Sequence, residues 1–403
     1  MSQPIQNPIE KVDETPRLAD AKRVIVKVGS ALLVDEAKGH VRQDWLESLA
    51  DDIHQLRSVG RDVAIVSSGA IAVGREHLGL RAGPLHLEEK QAAAATGQGR
   101  LAHAYQTALA RHGITAAQIL LTPEDTEDRR RHLNARATLE QLFALGATPI
   151  INENDTVATA EIRFGDNDRL AARVAQMTSA DVLVLLSDID GLYTADPRRS
   201  DGACHVPLVT EIDDTIRAMA GPPPPGHSSG GMVTKLAAAS IATGSGCHLV
   251  IANGRQNNPL APLLSDGQGT DDPQTRRTWF AAIQSPLTAR KRWIASSLAP
   301  AGELIVDNGA LRALQRGKSL LPAGVTAVKG TFSRGDTVAV RVQDGRRFAI
   351  GLAAYSSTDA KRIAGKQSRM IEQILGFAGR EEMIHRDDLV IDHHQATSGS
   401  GDG

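Results

Sequence analysis

Along most of the chain, short apolar runs alternate with longer stretches whose apolar residues recur at helical spacing. Runs such as Val182-Leu183-Val184-Leu185-Leu186 lack polar alternation, the mark of strands covered on both faces. The pattern predicts strands over Arg23–Val28, Val63–Val66, Ile119–Leu121, Thr148–Ile151, Val182–Leu186 and His248–Ile251. Helices are predicted over Asp44–Ser58, Leu87–Arg111, Arg129–Leu145, Asp168–Met177 and Thr234–Ala242, the second broken near Gly97 or Gly99. Strands alternating with helices specify an α/β fold, a mainly parallel open sheet sandwiched by helices.

The pattern changes after about residue 255, where Asn, Gln, Asp, Gly and Pro cluster. Beyond it the strand candidates are short and bounded by glycine, at Glu303–Val306, Gly324–Val328, Thr337–Val342 and Phe348–Ala353, with a helix at Gly309–Gln315. That is the pattern of a small β-rich domain. The expected division is an extension over 1–20, a first domain over 21–275, a linker over 276–293, a second domain over 294–375 and a tail over 376–403. The extension, with Pro4, Pro8 and Pro16, and the Gly/Ser/Asp tail are expected to be disordered. Gly221-Pro222-Pro223-Pro224-Pro225-Gly226 reads as a rigid surface spacer.

Composition narrows the class of protein. At 403 residues the chain exceeds one ordinary core, and 41% hydrophobic with 23% charged residues is a globular balance. Aromatics are only 3%, so the cores rest on Ala, Val, Ile and Leu. A net charge of −2 argues against a protein coated in nucleic acid. Cys204 and Cys247 form no disulfide framework, and the N-terminal stretch lacks a signal peptide's apolar core. These features point to the cytoplasm. No His, Cys and carboxylate grouping has zinc-ligand spacing, so no resident metal site is expected.

Candidate chemistry gathers where strands end. Lys27 closes the first strand and precedes Gly29-Ser30; such a lysine is ordinarily a solvated side chain, with anion binding as the alternative. Ser67-Ser68-Gly69-Ala70 follows the second strand, where Ser68 either caps a helix or meets a ligand. Asn152-Glu153-Asn154-Asp155 and Gly165-Asp166-Asn167-Asp168 are polar turns, equally readable as caps or as site residues. Ser187-Asp188 follows another strand and leads to the turn Gly191–Pro197. Ser229-Gly230-Gly231-Met232-Val233-Thr234-Lys235 opens a helix, and its lysine spacing is not that of a Walker A loop. Glycines with a following lysine suit a phosphate.

Together and in order, these elements resemble the amino acid kinase family. The stretch Ala301–Glu303, with Phe332–Asp336 and Arg362–Gly365, is similar to a PUA domain. Three departures stand out: Ser187 and Ser229 occupy positions where threonine is common, and Val233 one where a small polar residue is common. The resemblance implies transfer of the γ-phosphoryl group of ATP, with Mg²⁺, to the side-chain carboxylate of L-glutamate, opening proline synthesis. It places Lys27, Ser187, Asp188 and Ser229, Gly230, Gly231, Met232, Val233, Thr234 and Lys235 on ATP, and Ser68, Asp155 and Asn167 on glutamate. It makes Lys27, Lys235 and Asp168 the catalytic group, with Asp168 organising the site. It further implies feedback inhibition by L-proline, a homo-oligomer, and a glutamyl phosphate reductase as candidate partner.

Between Ile294 and Leu375 there are 12 Lys and Arg against 6 Asp and Glu, a balance that suits RNA. Only Phe332, Phe348 and Tyr355 offer stacking faces there, so a structural or regulatory use is favoured over RNA binding. Two readings of the whole chain compete: a kinase of the same fold acting on carbamate, aspartate, N-acetylglutamate or a nucleotide, and an RNA-binding protein with a degenerate kinase-like domain.

Overall fold

The computed structural model describes residues 15–35, 39–80, 83–157, 167–221, 231–264, 275–295 and 300–392. It forms two compact units, 1–286 and 287–403.

In the first unit, β1 (Arg23–Val28) leads to α1 (Gln43–Ser58), β2 (Asp62–Ser67), α2 (Ala70–His77) and α3 (Leu87–Ala110). Then follow β3 (Ala116–Leu121), α4 (Arg129–Ala144), β4 (Thr148–Glu153), α5 (Asn167–Thr178), β5 (Val182–Ser187) and β6 (Leu208–Val209). Last come α6 (Met232–Gly244), β7 (His248–Asn253) and β8 (Arg277–Phe280). The eight strands lie in the order β6-β8-β7-β5-β1-β2-β4-β3. All neighbours are parallel except β7 and β8. The α/β sheet with helices on both faces agrees with the sequence pattern.

Alternation along β1 explains why its apolar run is continuous. Val24, Val26 and Val28 enter one core with α1 and α3, while Ile25 enters the opposite core with α4, α5 and α6. Helix α1 buries Leu46, Leu49, Ile53 and Leu56 at helical spacing, and α4 is capped by Asp128, whose side chain accepts from Arg131 N.

Four local expectations are corrected. The long helix is not broken near Gly97 or Gly99: α3 is continuous. Gly97 is instead where α2 crosses it, because a Cβ there would stand 1.8 Å from the Ala70 carbonyl oxygen. Gly74 of α2 meets the Ala93 oxygen at the same distance. Residues 15–20 are ordered, and Leu18 is wholly buried in the first core. The stretch 276–293, expected as a linker, contains β8, whose four residues are all buried in the sheet. Within 376–403, expected as tail, Leu389–Ile391 is a strand of the second unit and Met383 and Ile384 belong to its core. The proline run lies outside the described residues.

The helix α7 (Pro286–Ala295) spans the boundary between the units. The second unit holds β9 (Gly302–Val306), α8 (Asn308–Gln315), β10 (Val325–Gly330), β11 (Thr337–Val342), β12 (Arg347–Leu352), α9 (Ser357–Ile363) and β13 (Leu389–Ile391). Its sheet runs β10-β9-β11-β12-β13 around one apolar core, the small β-rich domain expected.

Candidate active site

The order of the large sheet reverses at β1: the chain moves outward through β2, then returns to place β5 on the other side. In open α/β sheets the crevice at the carboxyl ends beside such a reversal is where ligands bind. Lys27, Ser67, Asn152, Glu153 and Ser187 end the strands there, and all five are buried.

Lys27 shares its face of β1 with Ile25, so it points to the side carrying α5 and α6. There Lys27 Nζ lies 2.6 Å from Asp168 Oδ1, and Lys235 Nζ lies 3.1 Å from Asp168 Oδ2. Only 7%, 6% and 0% of the Lys27, Lys235 and Asp168 side chains are exposed. Two ammonium groups therefore close on one carboxylate in a desolvated place, and the triad itself carries one more positive than negative charge. Asp168 stands in the first turn of α5, where the helix dipole favours an anion. Lys235 stands in the first turn of α6, where the dipole opposes a cation, so the local fold does not account for its position. Thr234 Oγ1, 3.2 Å from Asp168 Oδ2 and 2.8 Å from the Gly231 oxygen, joins the triad to the start of α6.

Next to Asp168, Asn167 turns its side chain the other way. Its Nδ2 lies 2.9 Å from the Ser67 oxygen, 2.9 Å from Ser68 Oγ and 2.8 Å from Asn152 Oδ1. Ser68 thus does not cap α2. The cap position is Gly69, at φ 108°, a left-handed conformation that frees the serine to face Asn167. Asn152 Nδ2 in turn donates to Gln98 Oε1 at 2.7 Å. Ser67 Oγ is 3.0 Å from the hydroxyl of Tyr105, whose burial pushes its pKa up and keeps the phenol neutral. Asp155 borders an open cavity of about 280 Å³ lined also by Gln98, Glu153, Asn154 and Gln118.

Of the expected residues, Lys27, Asp168, Thr234 and Lys235 are brought into contact, as are Ser68 and Asn167. Ser187 Oγ lies 3.2 Å from Asp188 Oδ1 at the neighbouring strand end, and Asp188 also faces Arg255 at 3.7 Å. Gly231 caps α6, Met232 packs on the second core and Val233 is exposed. Ser229 and Gly230 lie outside the described residues. The turn after Asp188 is braced by Tyr193, which donates to Asp190 at 2.9 Å and receives Arg276 at 2.9 Å.

Asn152 lies in the polar run that the sequence points to, whereas Gln98 and Tyr105 carry no such local mark. Their signal was a face: Gln98 precedes the buried Leu101 and Tyr105 by three and seven residues, a polar side chain on an apolar stripe.

Room for an anion is left at two glycines: Cβ atoms added to Gly29 and Gly231 would meet no atom of the described residues closer than 3.7 Å. Among the described residues no group of three or more His, Cys, Asp or Glu side chains is arranged to hold a metal.

A reversed parallel sheet with a buried two-lysine triad at its switch point defines a phosphate-handling α/β protein. The sequence matches the model of the amino acid kinase family over residues 22–253, and of the PUA domain over 302–375. The chain belongs to the amino acid kinase family and carries a C-terminal PUA domain. It is 59% identical to a glutamate 5-kinase of Paramagnetospirillum magneticum over 93% of this chain and 99% of that one. It is 56% identical to a glutamate 5-kinase of Gluconobacter oxydans over 94% and 98%. Among solved structures, an isopentenyl phosphate kinase of T. acidophilum covers 61% of this chain and 97% of its own, at 14% identity and a TM-score of 0.42.

Proposed function

We propose that this protein transfers the γ-phosphoryl group of ATP to the side-chain carboxylate of L-glutamate, giving L-glutamyl 5-phosphate for proline synthesis. The observation that carries this reading is the Lys27–Asp168–Lys235 triad at the switch point of a chain 59% identical to a glutamate 5-kinase. A triad with both lysines and its carboxylate in contact argues against a degenerate kinase domain.

The acceptor carboxylate is ionised at neutral pH, so no general base is required. One of its oxygens forms the bond to the γ-phosphorus as the bond to the bridging oxygen of ADP breaks. The barrier lies in bringing an anion against an anion, and catalysis is positioning plus neutralisation. Lys27 and Lys235 neutralise the transferring group, while Asp168 holds both ammonium groups at their stations. Backbone N–H groups beside Gly29 and Gly230-Gly231 cradle the phosphate oxygens, with Ser187, Asp188, Ser229, Met232, Val233 and Thr234 completing the nucleotide side. Ser68, Asp155 and Asn167 hold glutamate, with Asp155 accepting from its α-ammonium. Mg²⁺ bound to the nucleotide supplies further charge neutralisation.

The same reading includes inhibition by L-proline, a homo-oligomer, a cytoplasmic setting and delivery of the acyl phosphate to a glutamyl phosphate reductase. No helix among the described residues is long and apolar enough to cross a membrane. For the PUA domain a structural or regulatory use is proposed ahead of RNA binding.

The test is ATP turnover with Mg²⁺ and L-glutamate, trapping the acyl phosphate with hydroxylamine. Glutamate-dependent hydroxamate that declines with added L-proline supports the reading. Turnover with a different acceptor only, or none at all, overturns it.

A further inference from the structure

We infer that Gln98, on α3, is a positioning residue that sets which end of the amino-acid substrate its subsite accepts; this rests on the function proposed above. The inference comes from following hydrogen-bond polarity along a chain of amides. Glu153 N donates to Asn152 Oδ1 at 2.9 Å, and a main-chain N–H only donates, so the atom it meets is the oxygen of the Asn152 amide. The nitrogen of that amide therefore faces Gln98, whose Oε1 accepts from it at 2.7 Å.

With Asn152 fixed in this sense, Asn167 faces two oxygens that only accept, Asn152 Oδ1 and the Ser67 carbonyl, and must offer them Nδ2. Its Oδ1 is then the atom left for a ligand, and it takes a donor. Ser68 Oγ stands 2.9 Å from Asn167 Nδ2, whose two hydrogens serve those two oxygens, so the hydroxyl keeps its own hydrogen to give away. The subsite thus presents an acceptor at Asn167 and a donor at Ser68, which match the ammonium and carboxylate of an α-amino acid. Gln98 supplies the outer acceptor of this chain. Without it the buried Asn152 Nδ2 loses this acceptor, and the amide is held only from its oxygen side, by Glu153 N and Asn167 Nδ2.

Gln98 is partly exposed on the cavity wall and belongs to no apolar core, so its replacement leaves packing in place. The experiment compares the full-length wild type with Gln98→Met in the hydroxamate assay, measuring KM for L-glutamate, KM for ATP, kcat, and Ki for glutarate, which lacks the α-ammonium. Gln118→Met is the control, since Gln118 lines the same cavity outside the relay. The expected result for Gln98→Met is a KM for L-glutamate raised about tenfold, the scale of one lost hydrogen bond. Glutarate Ki, ATP KM and kcat stay within about twofold, and Gln118→Met matches wild type. A glutarate Ki that rises in parallel, an unchanged glutamate KM, or an equal effect of Gln118→Met overturns the inference alone. Absence of glutamate-dependent hydroxamate in the wild type overturns the function proposal, and the inference with it.

Discussion

In the second unit, Arg290 Nε donates to Asp388 Oδ1 at 2.8 Å, with 9% and 13% of the two side chains exposed. In the large unit, Lys27 and Lys235 meet Asp168 at a similar depth. The first arrangement sets one cation against one anion and ties α7 to the segment before β13. The second sets two cations against one anion at the mouth of the sheet. Burial alone does not separate structural from functional charge, since both clusters are desolvated. The imbalance does: a second ammonium beside a satisfied carboxylate adds desolvation and repulsion that folding alone gives no reason to keep.

The comparison breaks most readily at Lys235. Lys235→Met removes one of the two ammonium groups that meet Asp168, so thermal stability is expected to hold or rise. Hydroxamate formation is expected to fall about 100- to 1,000-fold, roughly 2.7–4 kcal/mol, the scale of one preorganised charge-stabilising group. A Lys235→Met variant that melts at a lower temperature yet keeps its turnover would reverse the two assignments.

Arg290→Met is the mirror experiment. It leaves the Asp388 carboxylate without that guanidinium and is expected to lower the stability of the second unit by about 2 kcal/mol in urea unfolding. Turnover per folded molecule should not change. Gly231→Ala sharpens the picture from the ligand side: its methyl group meets no described residue within 4 Å, so melting should drop only by the cost of an alanine cap, about 1 kcal/mol or less. If phosphate uses that room, KM for ATP rises about fivefold, near 1 kcal/mol.

The smallest effect separates the units by pH. Burial holds His248 below its ordinary value of 6.5, and its neutral Nδ1 accepts from Ala282 N at 3.0 Å. Burial and the nearby Arg276 depress His205 as well. For a depressed pKa the stabilisation is complete above pH 6.5 and is lost as pH falls through the lower folded value. Both histidines lie in the large unit, so its melting should fall on acidification below pH 6.5. In His248→Gln the decline should be weaker by about 0.5 kcal/mol, the low end for one hydrogen bond.

What the chain revealed in advance follows the same division. β1 and β5 were legible because a strand covered on both faces needs a continuous apolar run. β8 was not: four residues beside a polar, proline-bearing segment are too short to show a period, and their sheet neighbours are distant in sequence. Lys27, Asp168 and Lys235 stood out because each sits beside a glycine or a polar turn at an element boundary. Gln98 did not, because a polar residue within a helix is ordinarily solvated and its partner Asn152 lies 54 positions away. The helix expected to break at Gly97 failed for a related reason, since one sequence does not reveal what crosses it.

That crossing constrains how the chain can vary. At Gly74 and Gly97 backbone rests on backbone, so neither position has room for even a methyl group unless both helices move apart. Gly99, two residues on, meets nothing within 4 Å. A saturation library of this helix should therefore show an intolerant glycine and a permissive one almost side by side. Drift at the first would have to pass through a repacked neighbour, while drift at the second is open from the start.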